Sequence, residues 1–369
     1  MPALFSNPRF QTPNPHSVIR DPQSPLGFVT AYVPEELFHA AGFTPVFIFH
    51  TSSDHGQARS HLPGFTCWAA GSVLDQALSG CLDRLTGIAL AKTCDTVQGL
   101  VDLWQRNVPS MPCFHVGMPV RLDSPTARAY LLTELDDLRQ RIQAQGGRAI
   151  SDDDLWESIA LYNQTRTLVR QVYAHAADLA PPDLYELVRA AFQTPKRLYN
   201  DNLTRLLSQP FLPPDQKTPD HSVSILLVGS ELGDPILFDV LAHVGVRVVG
   251  DLLDLGERYV AVDSVMDGDP LAALADRLLA LLPTPTQHHP QRSRSAHLLA
   301  LVRERDADGV ILARQKFCDP HGFDHVQLTQ TLAQAQVPYL TLELEQASQA
   351  GQLCTRVEAF VEMITQVGG

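Results

Sequence analysis

Apolar residues fall along this chain in short continuous runs separated by segments of helical spacing. Pro45-Val46-Phe47-Ile48-Phe49 and Gly87-Ile88-Ala89-Leu90-Ala91 read as strands buried on both faces, and Cys113-Phe114-His115-Val116 continues the series. Helical segments lie around them: Val33 to Gly42, closed by its glycine, Cys67 to Leu82, and about Asp95 to Gln105. Strands alternating with helices predict a parallel sheet covered on both faces.

From Thr126 to Phe192 the period changes, and apolar residues recur at helical spacing in Ala129–Leu138 and Leu155–Tyr162. Ser151-Asp152-Asp153-Asp154 supplies an N-cap and an acidic first turn just before the second of these helices, after a break at Gly146-Gly147. The alternation resumes with strands at Val223–Gly229, Val246–Val249, Gly309–Ala313 and Pro338–Glu343. Helices are predicted at Pro235–His243, Phe323–Gln334 and Arg356–Val367. The expected fold class is therefore α/β, with two doubly wound parallel-sheet domains (26–125 and 223–369), a helical segment (126–208) between them and the functional site at the domain interface. The first 25 residues hold six prolines and no periodicity, which predicts an irregular arm, and the Pro-rich stretch 209–222 predicts a linker.

Composition narrows the function classes. A chain of 369 residues that is 44% hydrophobic and 19% charged can bury a sizeable core in two or three domains. A net charge of −13 argues against a phosphate-tracking surface, so nucleic acid is not an expected partner. No stretch reaches the roughly 18 to 20 continuous apolar residues that cross a bilayer, and the opening residues lack a basic region followed by an apolar one. A soluble cytoplasmic chain without membrane contact is the expectation. The six cysteines form no CxxC pair, which excludes a secreted disulfide scaffold.

Two cysteines occupy matching places in the two α/β domains. Lys92-Thr93-Cys94-Asp95 and Lys316-Phe317-Cys318-Asp319 share the pattern Lys-x-Cys-Asp, and each follows a predicted strand and opens a predicted helix. Loops at strand carboxyl ends form the binding crevice of parallel α/β sheets, so both thiols are expected to project into a cleft. Asp95 and Asp319 suit the N-cap, with Pro320 at the first helical position. A thiol at a helix N-terminus ionises more readily, and the thiolate is the metal-binding form.

A metal site needs a third ligand, and Cys67 is the best candidate because it also opens a predicted helix. Cys81 lies at the far end of that helix, Cys113 inside a strand and Cys354 in a polar turn, so these three are read as structural. Thiolates from three separate loops suit iron and sulfur better than structural zinc, whose ligands come as short-spaced pairs. Motifs for serine hydrolases, zinc proteases, P-loops and dinucleotide folds are missing; Gly229-Ser230-Glu231-Leu232-Gly233 has only part of the last spacing. His321 and His325 lie four apart on one helical face but lack a nearby third ligand, and His321 is read as a polar group facing the cleft.

Cys67 in its setting, Lys92 to Asp95, and above all Gln315-Lys316-Phe317-Cys318-Asp319-Pro320-His321 resemble the cluster-binding segments of the 2-hydroxyacyl-CoA dehydratase and benzoyl-CoA reductase family. Ala31-Tyr32-Val33-Pro34-Glu35-Glu36-Leu37 is similar to the family's Pro-Glu-Glu-Leu helix. Tyr162–Arg166, Gly250-Asp251 with Gly256-Glu257-Arg258, and Gln352 with Thr355–Phe360 also look like family segments. The resemblance runs from about residue 30 to the end.

It implies two α/β domains around a 4Fe-4S cluster held by Cys67, Cys94 and Cys318, with a helical region between them. It also implies a paralogous second subunit, or self-pairing, and a separate ATP-dependent iron-sulfur activator. The activator delivers a low-potential electron that reduces an acyl-CoA thioester to a ketyl radical, before water is eliminated or a ring reduced. The family also includes homodimers with a double-cubane cluster, which needs further thiolates than these. Trp68-Ala69-Ala70-Gly71 stands where relatives carry a polar, Arg-containing run.

Around the expected cleft, Lys316 and His321 are candidate catalytic groups, and Glu343, Gln352 and Arg356 candidate substrate-binding groups. A donor near a developing ketyl oxygen would stabilise its charge. The alternative for Lys316 and Arg356 is a surface ion pair. The competing function class is a subunit that holds a cluster for electron transfer without turning over substrate.

Overall fold

The strands of the alternation pair in parallel into two four-stranded sheets. The computed structural model describes residues 24–51, 56–208, 223–345 and 350–367; the expected linker and nearly all of the expected N-terminal arm lie outside these residues. The first half holds β1 (Pro25–Phe28), α1 (Glu35–Ala40), β2 (Thr44–Phe47), α2 (Trp68–Leu78), β3 (Ile88–Lys92), α3 (Asp95–Asn107) and β4 (Cys113–Gly117). Four helices follow: α4 (Ala127–Ala144), α5 (Asp152–Ala174), α6 (Pro181–Gln193) and α7 (Lys196–Leu207). The second half holds β5 (Ser224–Gly229), α8 (Ile236–Val244), β6 (Arg247–Leu252), α9 (Glu257–Val260), α10 (Pro270–Ala280), α11 (Arg294–Glu304), β7 (Gly309–Gln315), α12 (Asp319–Gln334), β8 (Tyr339–Leu344) and α13 (Ala350–Val367).

The strand orders are β2-β1-β3-β4 and β6-β5-β7-β8, with every pairing parallel. Both sheets therefore have one topology, in which the first strand lies between the second and the third. β1 is an interior strand, yet the hydrophobic pattern does not announce it. Its sequence Pro-Leu-Gly-Phe carries two residues that weaken a strand signal. Gly27 packs closely there, since a Cβ would come within 2.6 Å of Ile48 Cδ1 and 2.8 Å of Leu85 Cδ1 and those side chains would have to shift.

Strand alternation sends residues to two separate cores. Ile88 and Leu90 join α2 and α3 on one face of the first sheet, while Ala89 and Ala91 face a second cluster. In the second sheet Leu226, Val228, Val310 and Leu312 pack under α11 and α12, and Ile225, Leu227, Ile311 and Ala313 face the other way. The inward faces of both sheets share one continuous core with α1 and the middle helices. This shared core fixes the two sheets relative to each other and so positions whatever lies between their loops.

Candidate metal centre

Loops from the carboxyl ends of both sheets enclose a cavity of about 140 Å³. A cavity of roughly 150 Å³ accommodates one benzene molecule, so the space suits a group of several heavy atoms. Cys67, Cys94 and Cys318 all line it, two thiols from the first α/β domain and one from the second. Cys94 follows β3 and Cys318 follows β7, the topologically equivalent third strands, at the crevice beside the point where strand order reverses.

Each of the three cysteines is itself the N-cap residue of a helix, of α2, α3 and α12 respectively. The expectation that Asp95 and Asp319 are the caps is off by one position. They are the first helical residues, and Pro320 is the second. Helix backbone N–H groups face the sulfurs: that of Ala70 toward Cys67, those of Thr96 and Val97 toward Cys94, and that of His321 toward Cys318. The Cys318 turn is tight, because Cys318 N–H donates to Gln315 O at 3.1 Å and Phe317 takes φ +62°. A non-glycine residue there stores backbone strain of about 1–3 kcal/mol.

Burial pushes the Cys67 thiol up to about 11 and Cys318 up to about 12, and raises Cys94 as well. Mutual repulsion adds to this, of Cys94 on Cys67 and of Cys67 and Cys94 on Cys318. Three thiols in one buried space ionise together only with a cation between them. The donor set, the shared cavity and the converging helix N-termini fit a thiolate-bound iron–sulfur group.

Polar side chains close the site from both domains. His50 follows β2, and its Nδ1 lies 3.0 Å from Glu231 Oε1, beyond β5. Its Nε2 accepts from Gly233 N–H at 3.3 Å and lies 3.2 Å from Gln315 Nε2, which places the proton on Nδ1. Glu231 and Gln315 line the cavity. His321 is buried and also lines it, with Nε2 3.4 Å from Asp254 Oδ2. Burial opposes ionisation of Asp254, but the His321 hydrogen bond and charge, with Arg258 and Arg294, hold its carboxyl at about 2. His50, Glu231 and Asp254 were not singled out from the sequence. Their shared signal is position, because each follows a strand within a few residues of its carboxyl end.

Strand alternation separates Lys316 from this cavity. Gln315 points in, whereas Lys316 lines an adjoining cavity of about 460 Å³ with Trp68 and Phe317, paired to Glu345 at 2.5 Å. Glu343, Gln352 and Arg356 line neither cavity. β8 is the edge strand, beyond the β5–β7 crevice. There Glu343 pairs with Arg314 at 2.5 Å, Arg356 donates to Thr341 O at 2.5 Å, and Gln352 is exposed on α13. His325 does not join His321 in a ligand pair; its Nε2 lies 3.5 Å from Thr341 Oγ1. Cys81 is exposed and Cys113 packs against the core under α2 and α3. Cys354 lies on α13, which begins at Ala350, six residues before the helix start expected at Arg356, so the expected polar turn at Cys354 is helix.

A two-domain α/β protein with three cysteines at helix N-cap positions around one cavity is the class that these observations define. Residues 30–364 match the family described as 2-hydroxyglutaryl-CoA dehydratase, D-component, and the chain belongs to that family. It is 27% identical over 353 residues to the lactoyl-CoA dehydratase subunit beta of Anaerotignum propionicum, covering 92% of this chain and 91% of the relative. The (R)-phenyllactyl-CoA dehydratase beta subunit of Clostridium sporogenes is 22% identical over 347 residues, 93% and 92% of the two chains. A benzoyl-CoA reductase subunit of Thauera aromatica is 26% identical over 340 residues, 89% and 86%. Among the described residues no helix is long and apolar enough to cross a membrane.

Proposed function

We propose that this chain is the iron–sulfur subunit of a CoA-thioester dehydratase or reductase, with Cys67, Cys94 and Cys318 holding a 4Fe-4S cluster. The supporting observation is that three half-buried cysteines at helix N-cap positions, from both α/β domains, line one cavity. A cluster held by these three cysteines would supply low-potential one-electron chemistry for dehydrating or reducing an acyl-CoA thioester, with the electron coming from an ATP-hydrolysing activator.

The chain's own residues prepare the site. The N-termini of α2, α3 and α12 present backbone N–H groups and positive dipole ends to the sulfurs, which favours thiolates. Asp254 accepts from His321 and fixes that ring at the cavity wall. Val29, Phe47 and Leu100 add apolar surface to the cavity wall. The relatives are named as individual subunits, two of them as beta subunits, which supports pairing with a paralogous subunit.

Anaerobic purification with iron and sulfide analysis tests the ligand set. About four irons and four sulfides per chain are expected, with a paramagnetic signal on reduction. Cys67→Ser, Cys94→Ser and Cys318→Ser should each lose most of the iron, while Cys81→Ser and Cys113→Ser retain it. Full iron content in any of the first three sinks the assignment. Iron loss from either of the last two points to the double-cubane alternative.

A further inference from the structure

α8 and α13 pack against each other, with Leu237, Leu241, Leu353 and Val357 in the shared core. At the solvent edge of this seam stand His243, in the last turn of α8, and Cys354 and Glu358, one turn apart on α13. A nitrogen, a sulfur and an oxygen from these three side chains all lie within 4.8 Å of one another. His243 and Glu358 are exposed and Cys354 is half-buried, so the group opens to solvent.

The geometry points to a zinc site made by His243, Cys354 and Glu358, with water in the fourth position. Zinc bond lengths of about 2.0–2.3 Å in a tetrahedron give ligand–ligand edges of about 3.3–3.6 Å. Cys354 Sγ already lies 3.4 Å from Glu358 Oε1. The remaining closure falls to His243, an exposed side chain free to turn. Its place is set by Gly245, whose φ of +81° ends α8 two residues later.

Charge and donor chemistry agree. Binding releases the Cys354 thiol proton to solvent, with no change of oxidation state, and one thiolate plus one carboxylate neutralise a divalent ion. The C-terminal end of the α8 dipole favours a cation at His243. A mixed nitrogen, sulfur and oxygen set selects a borderline ion such as zinc over magnesium or calcium, which prefer oxygen alone. The bound ion clamps the C-terminal helix to α8. This site shares no residue with the three-cysteine cavity and does not depend on the cluster reading.

Zinc titration of the anaerobically purified chain, with its iron content measured alongside, followed by X-ray absorption at the zinc edge, tests it. The expected result is one zinc per chain with one sulfur neighbour and three nitrogen or oxygen neighbours. Cys354→Ser should remove the sulfur neighbour, and His243→Ala should weaken binding at least about tenfold, each with iron content unchanged. All three side chains lie at the surface seam, so the variants should keep the wild-type circular dichroism. Absence of zinc binding, a shell without sulfur, or unchanged affinity in His243→Ala overturns the proposal. A sulfur shell that survives in Cys354→Ser but disappears in Cys94→Ser places the zinc in the three-cysteine cavity and overturns it too.

Discussion

A cysteine is not among the preferred N-cap residues, yet one fills that position at three helices around the same cavity. The aspartates that would ordinarily cap move one place inward at α3 and α12, where their carboxylates still complement the helix dipole. A half-buried carboxylate also contributes to how this protein responds to pH. Burial, with help from the Asp251 carboxylate, raises Glu257 from its ordinary 4.5 to about 7 despite the opposing pull of Arg305. The folded chain therefore holds a proton that the unfolded chain releases between those values, so this contribution to stability is full below about 4.5 and is lost as pH rises through about 7. Glu257→Gln should flatten that decline. Urea midpoints compared at about pH 5 and about pH 8 measure it, and an identical decline in variant and wild type would show that another group is responsible.

At the scale of elements, α1 joins the first sheet to the middle helices, beside α4 on β4 and α6 on β2. Its Glu36 and Glu35 are fully buried, and they meet Arg166 of α5 at 2.7 Å and Lys196 of α7 at 2.9 Å. Tyr259 of α9 also donates to Glu35, and Arg166 reaches Asp263 at 3.3 Å. Burial opposes ionisation of Glu36, but Arg166 and Arg277 more than offset it and keep the carboxyl below its usual range. Removing one member of such a pair leaves an uncompensated buried charge. Arg166→Met should cost about 3 to 5 kcal/mol of unfolding free energy, and the double variant with Glu36→Gln should recover part of that loss. A loss under about 1 kcal/mol, the range of exposed pairs, would mean that water reaches Glu36.

Across the whole molecule, the candidate ligands come from both α/β domains, so a group bound to them ties residue 67 to residue 318. Binding to the folded state alone stabilises it. The iron-loaded chain should therefore melt several degrees above the iron-free chain in anaerobic calorimetry, and Cys94→Ser should melt like the iron-free form. Coincident transitions for loaded and iron-free wild type would place the iron outside the junction.

Much of this architecture is local in origin and hence readable in one dimension. Buried parallel strands need continuous apolar runs such as Ile225–Val228, helices need recurrent apolar positions, and the Ser151–Asp154 capping box closes within four residues. The repeated Lys-x-Cys-Asp pattern is legible for the same reason, because it marks equivalent turns in two sheets of one topology. β1 is not, since its Pro and Gly carry no local strand signal and only pairing with β2 and β3 makes the segment a strand. Side-chain direction is the other quantity that folding alone decides. Lys316 and His321 are five residues apart in one turn and helix start, yet alternation and helix pitch carry one to an exposed ion pair and the other to the cysteine cavity. Glu343 lies inside β8, and Gln352 and Arg356 stand on α13 after it. Only the strand order, which places β8 at the edge, keeps them from the cavity where His50, Glu231 and Asp254 converge from separate loops.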